Sequence, residues 1–152
     1  MGVVMAGETD FNAANAESNA ELHALVARLT DADLALGIGE GWTVSAMLAH
    51  LAFYDFRAAA LLDRWQQTGL VVASPLDADL INAASEHLLL AIPPRRAASL
   101  ALEAADAANQ RVAAVDADFV ARLQAAGGPY NTLFRAPHRR GHVSQIQSAL
   151  GQ

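Results

Sequence analysis

The spacing of apolar residues constrains this chain more than any other feature. Along most of its length they recur every three or four positions. The alternation a half-buried strand needs is absent apart from a brief Leu70-Val71-Val72. Alanine is abundant and β-branched residues seldom cluster, so nothing opposes the helical reading. The chain is expected to be all-α.

Helix boundaries follow from local signals. A first helix is expected from Asn12 to Leu29, with Leu22, Leu25, Val26 and Leu29 on one face. Asp31 to Glu40 reads as a connector broken by Gly37 and Gly39. Thr43 is a plausible N-cap for the second helix, with Trp42 and Met47 at hydrophobic-staple positions. Val44, Met47, Leu48, Leu51, Leu61, Leu62 and Trp65 mark its core side, and Gly69 ends it. After a loop at Ser74 and Pro75, a helix from Asp77 to Ala91 would turn Leu80, Ile81, Ala84 and Leu88 inward. Pro93 and Pro94 kink or break it. Helix resumes from Pro94 to Val115, with Leu100, Ala104, Ala108, Val112 and Val115 facing inward. Asp116 to Pro129 is a looser connector with a short helix around Phe119 to Leu123. The last helix ends near Leu150 and starts at Pro137, or as early as Asn131. Residues 1–11 are expected to form a disordered tail and residues 12–152 a single domain.

Composition sets limits on function. With 53% hydrophobic residues in 152, one sizeable core can form. No apolar run approaches the ~20 residues of a membrane span. Met1 to Gly7 lacks a basic start and a cleavage pattern, so the expected location is the cytoplasm. No cysteine is present, which excludes disulfides, thiolate ligands and a cysteine nucleophile; any thiol chemistry needs an external thiol. The net charge is −6 and every basic residue is an arginine, interspersed among acids without a basic stripe. That argues against nucleic acid as a partner and leaves small molecules.

The five histidines carry the chemistry. His138 and His142, four apart on a helix, present both rings on one face. Five histidines placed at random give such a pair roughly one time in eight, so the pair alone decides little. Gln145 shares its face, and Ile146 and Leu150 continue an apolar stripe beside it, which turns this face toward the bundle. His50 lies one turn after Met47, at the border of the core face; alone it reads as an ordinary boundary histidine. His23 reads as structural and His87 as solvent-facing.

Gly41-Trp42-Thr43-Val44 followed by Leu48-Ala49-His50-Leu51 resembles the DinB-like superfamily, which includes the metal-binding domain of mycothiol-dependent maleylpyruvate isomerases. His138-Arg139-Arg140-Gly141-His142 with Gln145-Ile146 is similar to that group's second motif. Asp79 and Asn82, ahead of a proline break, also resemble its spacing. The likeness extends from about residue 15 to 150. It implies a four-helix bundle, here with a proline-broken third helix and short extra helical segments. It also implies that His50, His138 and His142 together bind a divalent ion, commonly zinc or nickel, and that the chain forms homodimers. Pro137 departs from the pattern directly before His138. The additional C-terminal domain of the longer isomerases has no counterpart here, so the resemblance does not carry that specific activity.

Three neutral imidazoles leave an ion's charge uncompensated and at least one coordination position open. Such an ion lowers the pKa of bound water toward ~7, polarises a carbonyl, or ionises an incoming thiol. Two classes of function stay open. One is a metal-dependent hydrolase or thiol-dependent transferase or isomerase. The other is a non-catalytic bundle binding a metal or small ligand, which the lack of an acid inside either motif supports. Gln145 could orient water or a substrate. Tyr54, one turn after His50, could line the same cavity, and Asp55 could support a histidine ligand. For Tyr54 and Asp55 the competing readings are a core edge and a solvated face, and residue type alone favours them.

Overall fold

A computed structural model describes residues 10–127 and 130–152. The expected tail lies outside these residues, except for Asp10 and Phe11. Asp10 caps the first helix, α1 (Phe11–Arg28), by accepting from the Ala13 N–H at 3.1 Å. The connector that follows is more ordered than its glycines suggest. Thr30 and Asp33 form a reciprocal capping box that opens a five-residue helix, α2 (Asp31–Ala35). A small antiparallel pair, β1 (Gly37–Gly39) and β2 (Trp42–Thr43), then turns the chain. Gly39 and Gly41 take positive φ in that turn, at 108° and 83°.

α3 (Val44–Thr68) starts at the Thr43 cap and stops at Gly69, which is left-handed. At 25 residues it runs roughly 37 Å. α4 (Ala78–Ala91) is capped by Asp77, and Pro93-Pro94 fully separates it from α5 (Pro94–Ala113). α6 (Ala117–Ala125) and a 3-10 turn at Tyr130–Thr132 lead into α7 (Ala136–Ala149). Pro137 falls in the first turn of α7, where a missing N–H costs nothing.

Long-range packing joins α1, α3, α5 and α7 into a helix bundle, with α3 against α5 the most extensive pairing. The alanines explain that pairing. Ala97, Ala98, Ala101, Ala104, Ala105 and Ala108 of α5 are all buried, and such small side chains let two helix axes approach closely. The apolar interior falls into two main clusters. One joins Leu22, Leu25, Leu48, Leu51, Ala101 and Ile146; the other joins Leu62, Trp65, Val112, Phe119, Leu123 and Leu133. Each fully buried large side chain contributes about 1.5–3 kcal/mol.

α4 departs from expectation. Leu80 and Leu88 are 64% and 71% exposed and Ala84 is exposed as well; Leu89 is the buried leucine. Among the described residues the helix packs mainly on α3 and β2, with Leu89 also clustered with Ala97 of α5, so only a narrow strip of it is covered. The strip turned toward α3 carries Asn82, whose side chain accepts from the Tyr54 hydroxyl at 3.0 Å. Leucine periodicity marks the other face, because it cannot register a polar contact made across helices. Among the described residues, no helix is long and apolar enough to cross a membrane.

Candidate metal centre

His50 comes from the second turn of α3, and His138 and His142 from the first two turns of α7. Their ring nitrogens converge, with one ligand atom from each within 4.8 Å of the others. His142 Nε2 lies 3.1 Å from His50 Nε2 and 3.2 Å from His138 Nε2. His50 is buried and the other two are half-buried. Around them the Trp42 ring meets His50 edge-on, and the Tyr54 ring packs on both His50 and His138.

The second nitrogens fix what the first can do. The Gln145 side-chain oxygen lies 2.6 Å from His142 Nδ1, so Nδ1 carries the proton and donates it. His142 Nε2 is then a bare lone pair facing two other imidazole nitrogens. His138 Nδ1 is buried without any hydrogen-bond partner. One lone pair facing two further ring nitrogens is a poor solution for purely structural histidines. Nitrogen lone pairs converging on a common centre are what a cation requires. The donor set therefore fits a divalent ion.

Electrostatics acts in the same direction. Burial first, then the neighbouring His142, pushes His50 down to about 4. Burial, His142 and Arg135 lead the causes that push His138 down to about 3. Burial lowers His142 as well, against the opposing Gln145 bond. All three rings are neutral, ligand-competent imidazoles at neutral pH. In the unfolded chain they titrate near ~6.5. On acidification from that point, the metal-free unfolded chain takes up protons that the folded chain refuses, so stability falls. We expect urea midpoints of metal-free protein to be flat above pH ~6.5 and to decline from there toward pH ~4. A His50→Phe/His138→Phe double variant should lose most of that slope; a slope unchanged from native would show that these rings do not cause it.

Asp55 is not a solvated residue, nor does it support a histidine. It is fully buried, with Oδ1 accepting from Arg135 Nε and Oδ2 from Arg139 Nε, each at 2.8 Å. Arg139 also donates to the Asn109 side chain at 2.8 Å and to Ser18 at 3.3 Å. Asn15 accepts from the backbone N–H groups of Arg135 and Ala136 at 2.8 and 3.0 Å. This polar layer ties the start of α7 to α1, α3 and α5, and so sets where His138 and His142 point. The signal available in the sequence is faint: Arg135 and Arg139 lie four apart and interleave with the histidine pair.

Tyr54 donates its hydroxyl to Asn82 and lines the cleft with its ring, and burial raises its pKa. Gln145 engages His142, as described. His23 is exposed and pairs with Asp106 at 3.2 Å, and His87 is exposed. The centre opens into a cleft of about 1720 Å³ that also reaches Arg57, Asp79 and Asn82.

Fold and site together define an all-helical domain holding a three-histidine cluster able to coordinate a metal. No family model, no curated protein and no solved structure matches the chain.

Proposed function

We propose that this chain is a DinB-like protein that binds a divalent ion, zinc or nickel, through His50, His138 and His142, and that it uses the ion in enzymatic thiol or water chemistry. One observation carries the reading: two Nε2–Nε2 distances of 3.1 and 3.2 Å, centred on a His142 whose proton is held on the opposite nitrogen. When bound, the ion supplies Lewis acidity, which makes a coordinated water or thiol acidic near neutral pH. The chain's own residues do the rest. Gln145 fixes the tautomer of His142. The Tyr54 and Trp42 rings flank His50 and limit the approach of water from their side.

No carboxylate is hydrogen-bonded to any of the three histidines among the described residues, since Asp55 is engaged by two arginines. The ion would ionise a bound water or a bound low-molecular-weight thiol alike, so either can serve as the nucleophile. The lack of such a carboxylate supports a second reading, a non-catalytic metal- or small-ligand-binding bundle. Elemental analysis of protein purified without an affinity tag is the first test, and about one equivalent of zinc or nickel per chain is expected. Less than about a tenth of an equivalent, with no uptake on adding either ion, removes the site. A saturable turnover of an electrophile that is lost in His138→Ala would rule out the non-catalytic reading.

A further inference from the structure

The cleft beside the histidines holds a cation, Arg57, that has no counterion among the described residues. Arg57 lies on α3 seven residues after His50, two turns along the same face and roughly 10 Å down the helix axis. It is half-buried and lines the cleft. Its Nη2 donates to the Ser74 carbonyl at 2.8 Å and to the Ser74 hydroxyl at 3.3 Å, both neutral acceptors. Among the described residues it forms no ion pair; arginines 28, 64 and 122 form none either but are exposed, and arginines 95, 96, 111, 135, 139 and 140 are all paired. Glu40 and Asp79 also line the cleft, but both are exposed, where water and salt screen them.

The attachment to Ser74 holds the guanidinium by one nitrogen and leaves donors unused on Nε and Nη1. A guanidinium fork fits a carboxylate with two parallel bonds. The buried Asp55–Arg135–Arg139 cluster adds a net positive charge behind His138, in a chain whose total is −6. On α3 the cleft residue between His50 and Arg57 is Tyr54, whose ring packs on His50 and His138 and offers an apolar face there. One unpaired cation suits a single monoanionic group better than a phosphate dianion.

We propose that Arg57 anchors the carboxylate of a small organic ligand whose other end reaches the three histidines, so that the substrate class is a monocarboxylate with an apolar body. This rests on the metal reading above for the histidine end and on Arg57 alone for the carboxylate end.

The test uses cobalt-loaded protein and follows its visible spectrum during titration. The probes are terminal mercaptoalkanoates of increasing length (propionate, hexanoate, octanoate), each against the mercaptoalkanol of matching length. At the best length, native protein should bind the acid at least about tenfold more tightly than the alcohol, the size of one charge-assisted bond. Arg57→Gln should bring that preference within about twofold and leave alcohol binding unchanged. A preference that is absent, or that survives Arg57→Gln, overturns the carboxylate anchor and leaves the metal reading intact. In a metal-free arm, octanoate should raise the Tm of native protein but not of Arg57→Gln. Arg57-dependent protection by octanoate in a protein that takes up no cobalt would keep the anchor and remove the metal reading. Protection by inorganic phosphate in place of octanoate would overturn the choice of carboxylate. If Arg57→Gln loses its helical circular dichroism, Arg57→Lys takes its place; it keeps the charge but not the fork, and an acid preference as strong as native overturns the anchor.

Discussion

Replacing Asp55 with asparagine is expected to destabilise the protein by about 3–5 kcal/mol, a large part of the ~5–15 kcal/mol that holds a domain folded. Asp55 is fully buried and is the one carboxylate paired with either Arg135 or Arg139 among the described residues. The neutral amide leaves two guanidiniums inside the protein without a counterion, and it turns one of the two acceptors into a donor facing an N–H. The relevant cost is that of charges stranded away from water, not the modest worth of an ion pair. Asp31→Asn is the control. Asp31 pairs with Arg95 at 2.6 Å, but both side chains are more than half exposed, so its loss should cost about 0–1 kcal/mol. Urea denaturation followed by circular dichroism reads both. Equal midpoints for the two variants would mean that the polar layer does not secure α7. The damage should also reach the site, because Arg135 and Arg139 bracket His138 on that helix.

His142→Ala should abolish stoichiometric metal binding, from about one equivalent to less than about a tenth at micromolar free zinc. His142 is the central imidazole of the three, close to both others, whereas His50 and His138 do not share a hydrogen-bond contact with each other. Without it, two nitrogens on different helices remain. Gln145→Ala should be milder, about 10–100-fold in affinity, because it removes only the acceptor that holds the His142 proton. A second readout is thermal. An ion present at 100 times its dissociation constant stabilises the native state by ~2.7 kcal/mol, and that rise in Tm should disappear in His142→Ala. The metal-free Tm should change little, since the substitution removes a half-buried imidazole with a crowded lone pair. A His142→Ala protein whose Tm still rises with zinc as native does would place the ion elsewhere.

Much of the secondary structure was legible because its signals act between near neighbours. Thr43 caps α3 through the Ala46 N–H, Gly69 ends it in a left-handed conformation, and Pro93-Pro94 separates α4 from α5. Each effect spans only a few residues and depends on nothing outside them. The connector from Asp31 to Glu40 was harder. Its five-residue helix rests on the Thr30–Asp33 capping box, which is local but short, and its strand pairing has no alternation long enough to notice.

The histidines show the same division. Spacing alone put His138 and His142 on one face, and it placed His50 at a core border. The sequence by itself therefore determined a helical chain, its main breaks, a histidine pair on one helix face and a third histidine at a core border; that the three would meet was implied only by the resemblance. Only the tertiary structure decided that they do meet, which face of α4 is covered, and that Asp55 is an internal counterion. Those outcomes depend on partners such as Asn82 for Tyr54, Arg139 for Asp55 and His142 for His50, which lie from 28 to 92 positions away. Periodicity gives the side of a helix on which a residue lies. It does not give the chemistry of what packs there, and burial energies, charge pairing and ligand convergence are all set by that chemistry.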